Sequence, residues 1–245
     1  MARIPAVQFI ATAVATLLLT ACSVTFTTGD SGGRDDPTPT PAPTPTDPGG
    51  TVMGSGVVVT EDREVAGFDS VVLKGIGELY IEFTGEESLS IEAEDNILPV
   101  LISEVSGNEL VLGPRPGTGI STTEPIIYRL TVSGLSAVSV SGSATVDARG
   151  IVSDRLTASS SGSSDMRITG RVDRLHVDIS GSGSFWGRRL ESAHARVEVS
   201  GSGDVVVNAS ESLDVRSSGS SDVRYSGSPE VTQDISGSGS VRPVD

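Results

Sequence analysis

The stretch Val197-Glu198-Val199-Ser200-Gly201-Ser202-Gly203-Asp204-Val205 is one copy of a pattern that the chain writes six times. At a regular period Ser-Gly-Ser returns with its glycine at Gly142, Gly162, Gly181, Gly201, Gly219 and Gly237, at spacings of 20, 19, 20, 18 and 18 residues, and Ser226-Gly227-Ser228 falls off that period. Aligned on that glycine, the copies form columns. Four residues after it stand Val146, Met166, Phe185, Val205, Val223 and Val241, apolar in every copy. Two before it stand Val140, Ser160, Ile179, Val199, Ser217 and Ile235; four before it stand Val138, Ala158, Val177, Val197, Val215 and Gln233. Inward positions at every second residue on both sides of the motif describe two half-buried strand segments per copy. The residue two after the glycine is always small: Ala144, Ser164, Gly183, Gly203, Ser221 or Gly239. A tight corner at this point needs a residue free to take positive φ and no bulky neighbour.

A fixed period with matched columns is the signature of stacked repeats. The expectation is an all-β, right-handed parallel β-solenoid, a single-stranded β-helix of ~18–20-residue coils. Serine over serine at each corner would let hydroxyls bond along the stack. Charge supports the register. Stacking about 4.8 Å apart sets Arg196 beside Asp214, and Arg216 between Glu198 and Asp234, with Asp178 against Glu198 as a like pair. The competing architecture, an up-and-down barrel of hairpins, does not require such columns.

Upstream, Val57-Val58-Val59, Val71-Val72-Leu73, Leu79–Phe83, Leu89-Ser90-Ile91, Leu110-Val111-Leu112 and Tyr128–Val132 read as strands, with a helical turn starting near Asp95. The domain therefore divides into an irregular N-terminal cap over 56–135 and six coils over 136–245. Pro243 removes a donor at the far edge, which discourages strand addition there.

The chain opens with Arg3, an apolar run from Ile4 to Leu19, and then Leu19-Thr20-Ala21-Cys22. A basic start, an apolar stretch and small residues before a cut point make a secretory signal over 1–21. The four closing residues resemble the lipobox of bacterial lipoproteins, which implies diacylglycerol on the Cys22 thiol and an envelope location. An uncleaved membrane anchor is the competing reading, weakened by Pro5 and the threonines within the run. Residues 22–55 carry the acyl site and a linker in which Thr38–Pro45 alternates proline with small residues, favouring extended polyproline II.

Composition narrows the function. The chain has 245 residues and a net charge of −15, with Lys74 its single lysine. Such a surface repels phosphate backbones, so nucleic acid is not an expected partner. One cysteine and two histidines, His176 and His194, leave no multi-cysteine metal site and no cofactor motif. Asp165, Asp204 and Asp222 share one outward column, and Asp204 with Asp222 forms a weak calcium candidate, against the plainer reading that each bonds its own corner. Trp186 is the only tryptophan and points outward, with Arg167 in its column and Arg188 and Arg189 following. An indole among guanidinium groups suits stacking on a sugar ring or a protein partner, unless an arginine simply lies over it.

Residues Arg63–Val71, Gly75–Ile81, the Ser-Gly-Ser turns and Val223–Pro229 resemble the bacterial family called putative auto-transporter adhesin, head GIN domain, over roughly residues 57–242. The Ser-Gly-Ser-Gly-Asp form typical of that family is complete only at 200–204; residues 161–165 and 218–222 write Ser-Gly-Ser-Ser-Asp. The resemblance implies a parallel β-solenoid at the cell envelope with an adhesin role, and it supplies no catalytic residues. The expected function is thus a lipid-anchored, adhesin-like binding module and not an enzyme. A spacer without a ligand and a polysaccharide-acting β-helix enzyme are the alternatives. Replacing Cys22 by serine is expected to abolish incorporation of a labelled fatty acid, and persistent labelling would exclude the anchor.

Overall fold

The computed structural model describes residues 50–244; Cys22, the signal segment and most of the linker lie outside the described residues. The described chain is all-β. Its first half holds β1 (Thr51–Met53), β2 (Val58–Arg63), β3 (Ser70–Phe83), β4 (Ser88–Glu94), β5 (Leu101–Ser106), β6 (Glu109–Pro114), β7 (Gly119–Ser121) and β8 (Ile127–Val132). Four long strands follow: β9 (Ala137–Gly162), β10 (Asp165–Gly181), β11 (Ser184–Gly201) and β12 (Asp204–Gly219). The chain closes with β13 (Asp222–Ser226), β14 (Glu230–Gly237) and β15 (Ser240–Pro243).

The long strands pair in parallel, each with the next, and β12 pairs in parallel with β13 and β14 along its two halves. Together with most of the first half they form one large, mainly parallel sheet that does not close into a barrel. Period and register agree. Met166 pairs with Val146 and Phe185, and Val205 pairs with Phe185 and Val223. Val146, Met166, Phe185, Val205 and Val223 are all fully buried. The core is mostly Val, Ile, Leu and Ala, with Phe68, Tyr128 and Phe185 as its buried aromatics among the described residues, which is why so few aromatics suffice.

The corner explains the glycine. At Gly201, φ is +143° and an added Cβ would stand 2.2 Å from the Gly181 carbonyl oxygen. The same oxygen accepts a hydrogen bond at 2.9 Å from the Ser202 N–H. The arrangement repeats with Ser163 on Gly142, Ser182 on Gly162, Ser220 on Gly201 and Ser238 on Gly219, each at 2.9 Å. Backbone groups hold the corners together, and among the described residues the motif serines make no hydroxyl ladder. Their side chains stand mostly in solvent, where water competes for each hydroxyl.

A second regularity lies beneath the motif. Where the inward residue two before the glycine is serine, the residue two after it is serine as well. Ser160 bonds Ser164 at 2.5 Å and Ser217 bonds Ser221 at 2.6 Å, all four buried. Copies with Ile179 or Val199 in that place carry Gly183 or Gly203 instead. Two hydroxyls satisfy each other, so neither is left unpaired in the core.

The first half departs from a simple cap. Strand β3 pairs in parallel and in register with β9 from Ser70↔Ala137 to Glu82↔Arg149, which puts Gly75 directly against Gly142. Gly75 thus begins the glycine column, hidden because Lys74 and Ile76 replace the flanking serines and 67 residues (142 − 75) separate it from the next member. The first half also holds the antiparallel pairs β2–β4, β4–β8 and β5–β6. A 3₁₀ turn at Leu98–Val100 stands close to the expected helical turn. Glu94, 1% exposed, ties the N-terminal segment down: it accepts from Thr123 Oγ1 at 2.6 Å, the Gly56 N–H at 2.7 Å and the Thr123 N–H at 3.2 Å. The Thr123 hydroxyl, helped by these N–H groups, holds its carboxyl below the usual range against the opposing effect of burial.

Gly201→Ala is expected to lower the free energy of unfolding by about 3 kcal/mol or more, since a methyl must enter occupied space at a strained φ. Gly134 has open space around it, and Gly134→Ala should stay within about 0.5 kcal/mol of the parent in urea unfolding. Equal effects at both positions would disprove the stacked corner.

Candidate functional site

Strand β11 is longer than its neighbours at the point where Trp186 stands. Against β12 the register runs Trp186↔Val206 and then Glu191↔Asn208, so five residues on one strand face two on the other. The surplus is Gly187-Arg188-Arg189, held between Phe185 and Leu190, both fully buried. Gly187 is needed there, because a Cβ would lie 2.5 Å from the Phe185 ring. Two anchored apolar residues with a short unpaired excess between them push both arginines out to solvent.

The outward column through Trp186 reads Asp147, Arg167, Trp186, Val206, Arg224 and Arg242. Trp186 is 37% exposed. A shallow cavity of about 380 Å³ is lined by Arg167, Thr169, Trp186, Arg188 and Arg189. The sequence-chosen residues therefore share one site. Arg224, which the sequence reading did not select, joins them: its guanidinium carbon lies 6.0 Å from the indole centroid, reaching over the small Val206 between. An arginine does lie over the ring, but it comes from two strands further on. No sequence spacing within a single repeat points to it.

Away from Trp186, eight of the ten described arginines meet a carboxylate within 4.0 Å, Arg115 and Arg155 being the exceptions. Among the described residues, Arg149, Arg171 and Arg242 each meet a carboxylate, on Asp147, Glu191 and Asp222 respectively. Arg167, Arg188, Arg189 and Arg224 meet none within 4.0 Å.

Asp204 and Asp222 are stacked partners, but Asp222 already accepts from Ser240 Oγ at 2.5 Å and pairs with Arg242 at 3.4 Å. Asp165 is separated from Asp204 by Ser184. Two carboxylates, one of them committed to arginine, give a calcium ion few of the six or more oxygens it takes.

The charge ladder of β10–β12 is denser than expected. Arg196 bonds Glu198 at 3.0 Å through Nε and pairs with Asp214 at 3.9 Å; Arg216 meets Glu198 at 3.5 Å and Asp214 at 3.9 Å. Arg216 stacks beside Asp234 without an ion pair. Arg196 holds the Glu198 carboxyl below the usual carboxylate range. His176, Asp178 and Glu198, which the sequence reading did not group, bring ligand atoms within 4.8 Å of one another. Two guanidiniums bear on the same Glu198, so its charge is already balanced, and the cluster is an ion-pair network.

A larger groove of about 940 Å³ runs past Val152, Asp154, Arg171, Asp173, Glu191 and Asn208. Its arginine is engaged with Glu191 at 2.6 Å.

Residues 67–229 match the family described as putative auto-transporter adhesin, head GIN domain. The chain belongs to this family. Among solved structures, a putative adhesin from Bacteroides fragilis is similar at 21% identity and TM-score 0.65, covering 79% of this chain and 100% of its own. A putative adhesin from Parabacteroides distasonis gives 19% and 0.52, covering 80% and 100%. A putative lipid binding protein from the same species gives 20% and 0.50, with the same coverage. These likenesses establish the fold that the head GIN domain shares with them. No curated protein matches the chain. The family is described as a putative adhesin, and these neighbours are named as putative adhesins or a putative lipid binding protein.

The four unpaired arginines should concentrate anions at the indole although the chain carries −15 overall. Iodide is expected to quench the single tryptophan more strongly than caesium, and Arg188→Gln with Arg189→Gln should reduce that bias. Stronger quenching by caesium in the parent would show that the arginines do not dominate the local field.

Proposed function

We propose that this head GIN domain protein is anchored by lipid on Cys22 and presents residues 56–245 at the cell envelope as a right-handed β-solenoid that binds a surface glycan or protein partner in an adhesin-like role. Support for the winding comes from parallel register between successive strands at the repeat period and from the glycine column. Support for binding comes from one observation above the others. Trp186 stands exposed with Arg167, Arg188 and Arg189 around one cavity, and none of the three has a carboxylate partner. An aromatic face with uncommitted donors around it is suited to a ligand. The family and its named members are consistent with this role.

Catalysis is a weaker reading, because the Trp186 cavity holds no carboxylate and no nucleophile beyond the Thr169 hydroxyl, and acid–base chemistry needs a converging pair. Membrane attachment rests on the Cys22 motif; among the described residues no helix is long and apolar enough to cross a membrane.

Protease applied to intact cells should release the domain, and full-length protein should give saturable binding on a glycan array or to whole cells. Trp186→Ala should weaken that binding by about tenfold or more. A protein that binds nothing saturably at any ionic strength is a spacer.

A further inference from the structure

The arginines around Trp186 specify more than an adhesive face. Resting on the reading above, we infer that this surface selects an acidic polysaccharide, a glycan carrying carboxylate-bearing sugar rings, with a ring against the part of the indole that Arg224 leaves exposed and its carboxylates on Arg167, Arg188 and Arg189.

Position supports the assignment. Arg167, Trp186 and Arg224 lie in one column along the stack, with only Val206 between the last two. At about 4.8 Å between paired strands, Arg167 to Arg224 spans three intervals, about 14 Å, an elongated site suited to several linked sugars. Arg188 and Arg189 flank it from the bulge. The guanidinium fork donates two parallel hydrogen bonds to a carboxylate, and a free fork beside an aromatic plane fits a charged ring better than a neutral one.

Other anions fit less well. Lipid insertion needs apolar surface, yet Met53, Val57, Val58, Val59, Val105 and Val152, the other exposed large apolar residues, do not line this cavity. A nucleic acid strand carries closely spaced phosphates and would also pass Asp165, Asp204 and Asp222, in the outward column two residues nearer the corner. A linked uronic acid offers pyranose faces and carboxylates on the same rings, which matches an indole flanked by guanidinium groups.

The test uses full-length protein in nonionic detergent with polygalacturonate, its methyl ester, and single-stranded DNA as probes. Saturable binding to polygalacturonate, at least about tenfold tighter than to the ester, is expected. Trp186→Ala should weaken binding to both polymers. Arg188→Gln with Arg189→Gln should reduce the preference for the acid form at an unchanged melting temperature, since both side chains are exposed on the bulge. Equal affinity for acid and ester, or equal affinity for DNA, overturns the inference. Failure to bind polygalacturonate while Trp186-dependent binding to an array or to cells persists overturns the ligand class and leaves the binding-module reading standing. Loss of all saturable binding removes both.

Discussion

Everything in the regular half of this molecule depends on a backbone that approaches itself too closely for a side chain. At each corner the glycine α-carbon lies over the carbonyl of the glycine beneath, and a Cβ would stand between 2.1 and 2.4 Å from that oxygen from Gly142 to Gly237. The next N–H donates to the same oxygen. Close approach and hydrogen bond act together, fixing the height and the phase of each strand against its neighbour. Once the phase is fixed, alternation of side chains in a strand decides which face every residue occupies.

That phase lock has two consequences. Inward positions become a continuous file in which Val205 touches residues from the strand before and the strand after, so a slip of one residue would expose the whole file. Outward positions become ladders whose members are committed to each other, as Arg196, Glu198, Asp214 and Arg216 are. A surface ladder of this kind contributes little stability pair by pair, but it commits the charges within it to each other.

The candidate binding surface is an exception to that regularity. It arises where β11 spends three more residues than β12 between paired positions, and the excess carries Arg188 and Arg189 outside the ladder. The trace of this in the sequence is a repeat of 20 residues followed by one of 18. Spacing alone could not place the surplus, because residues could be added at either corner. Buried Phe185 and Leu190 decide it by fixing both ends of the bulge.

The sequence by itself determined the all-β class, the parallel register, the inward columns and the grouping of Trp186 with Arg167, since a period locked by glycine makes residues about 18–20 apart into neighbours. The tertiary structure decided what breaks that period. Gly75 joined the glycine column across a long excursion that periodicity cannot bridge. Arg224 reached the indole over Val206 because a small residue lay between them in space. The motif serines stayed in solvent while backbone N–H groups held the corners. Each of these turns on distances between chain segments, and a linear pattern carries such distances only where its repeat is unbroken.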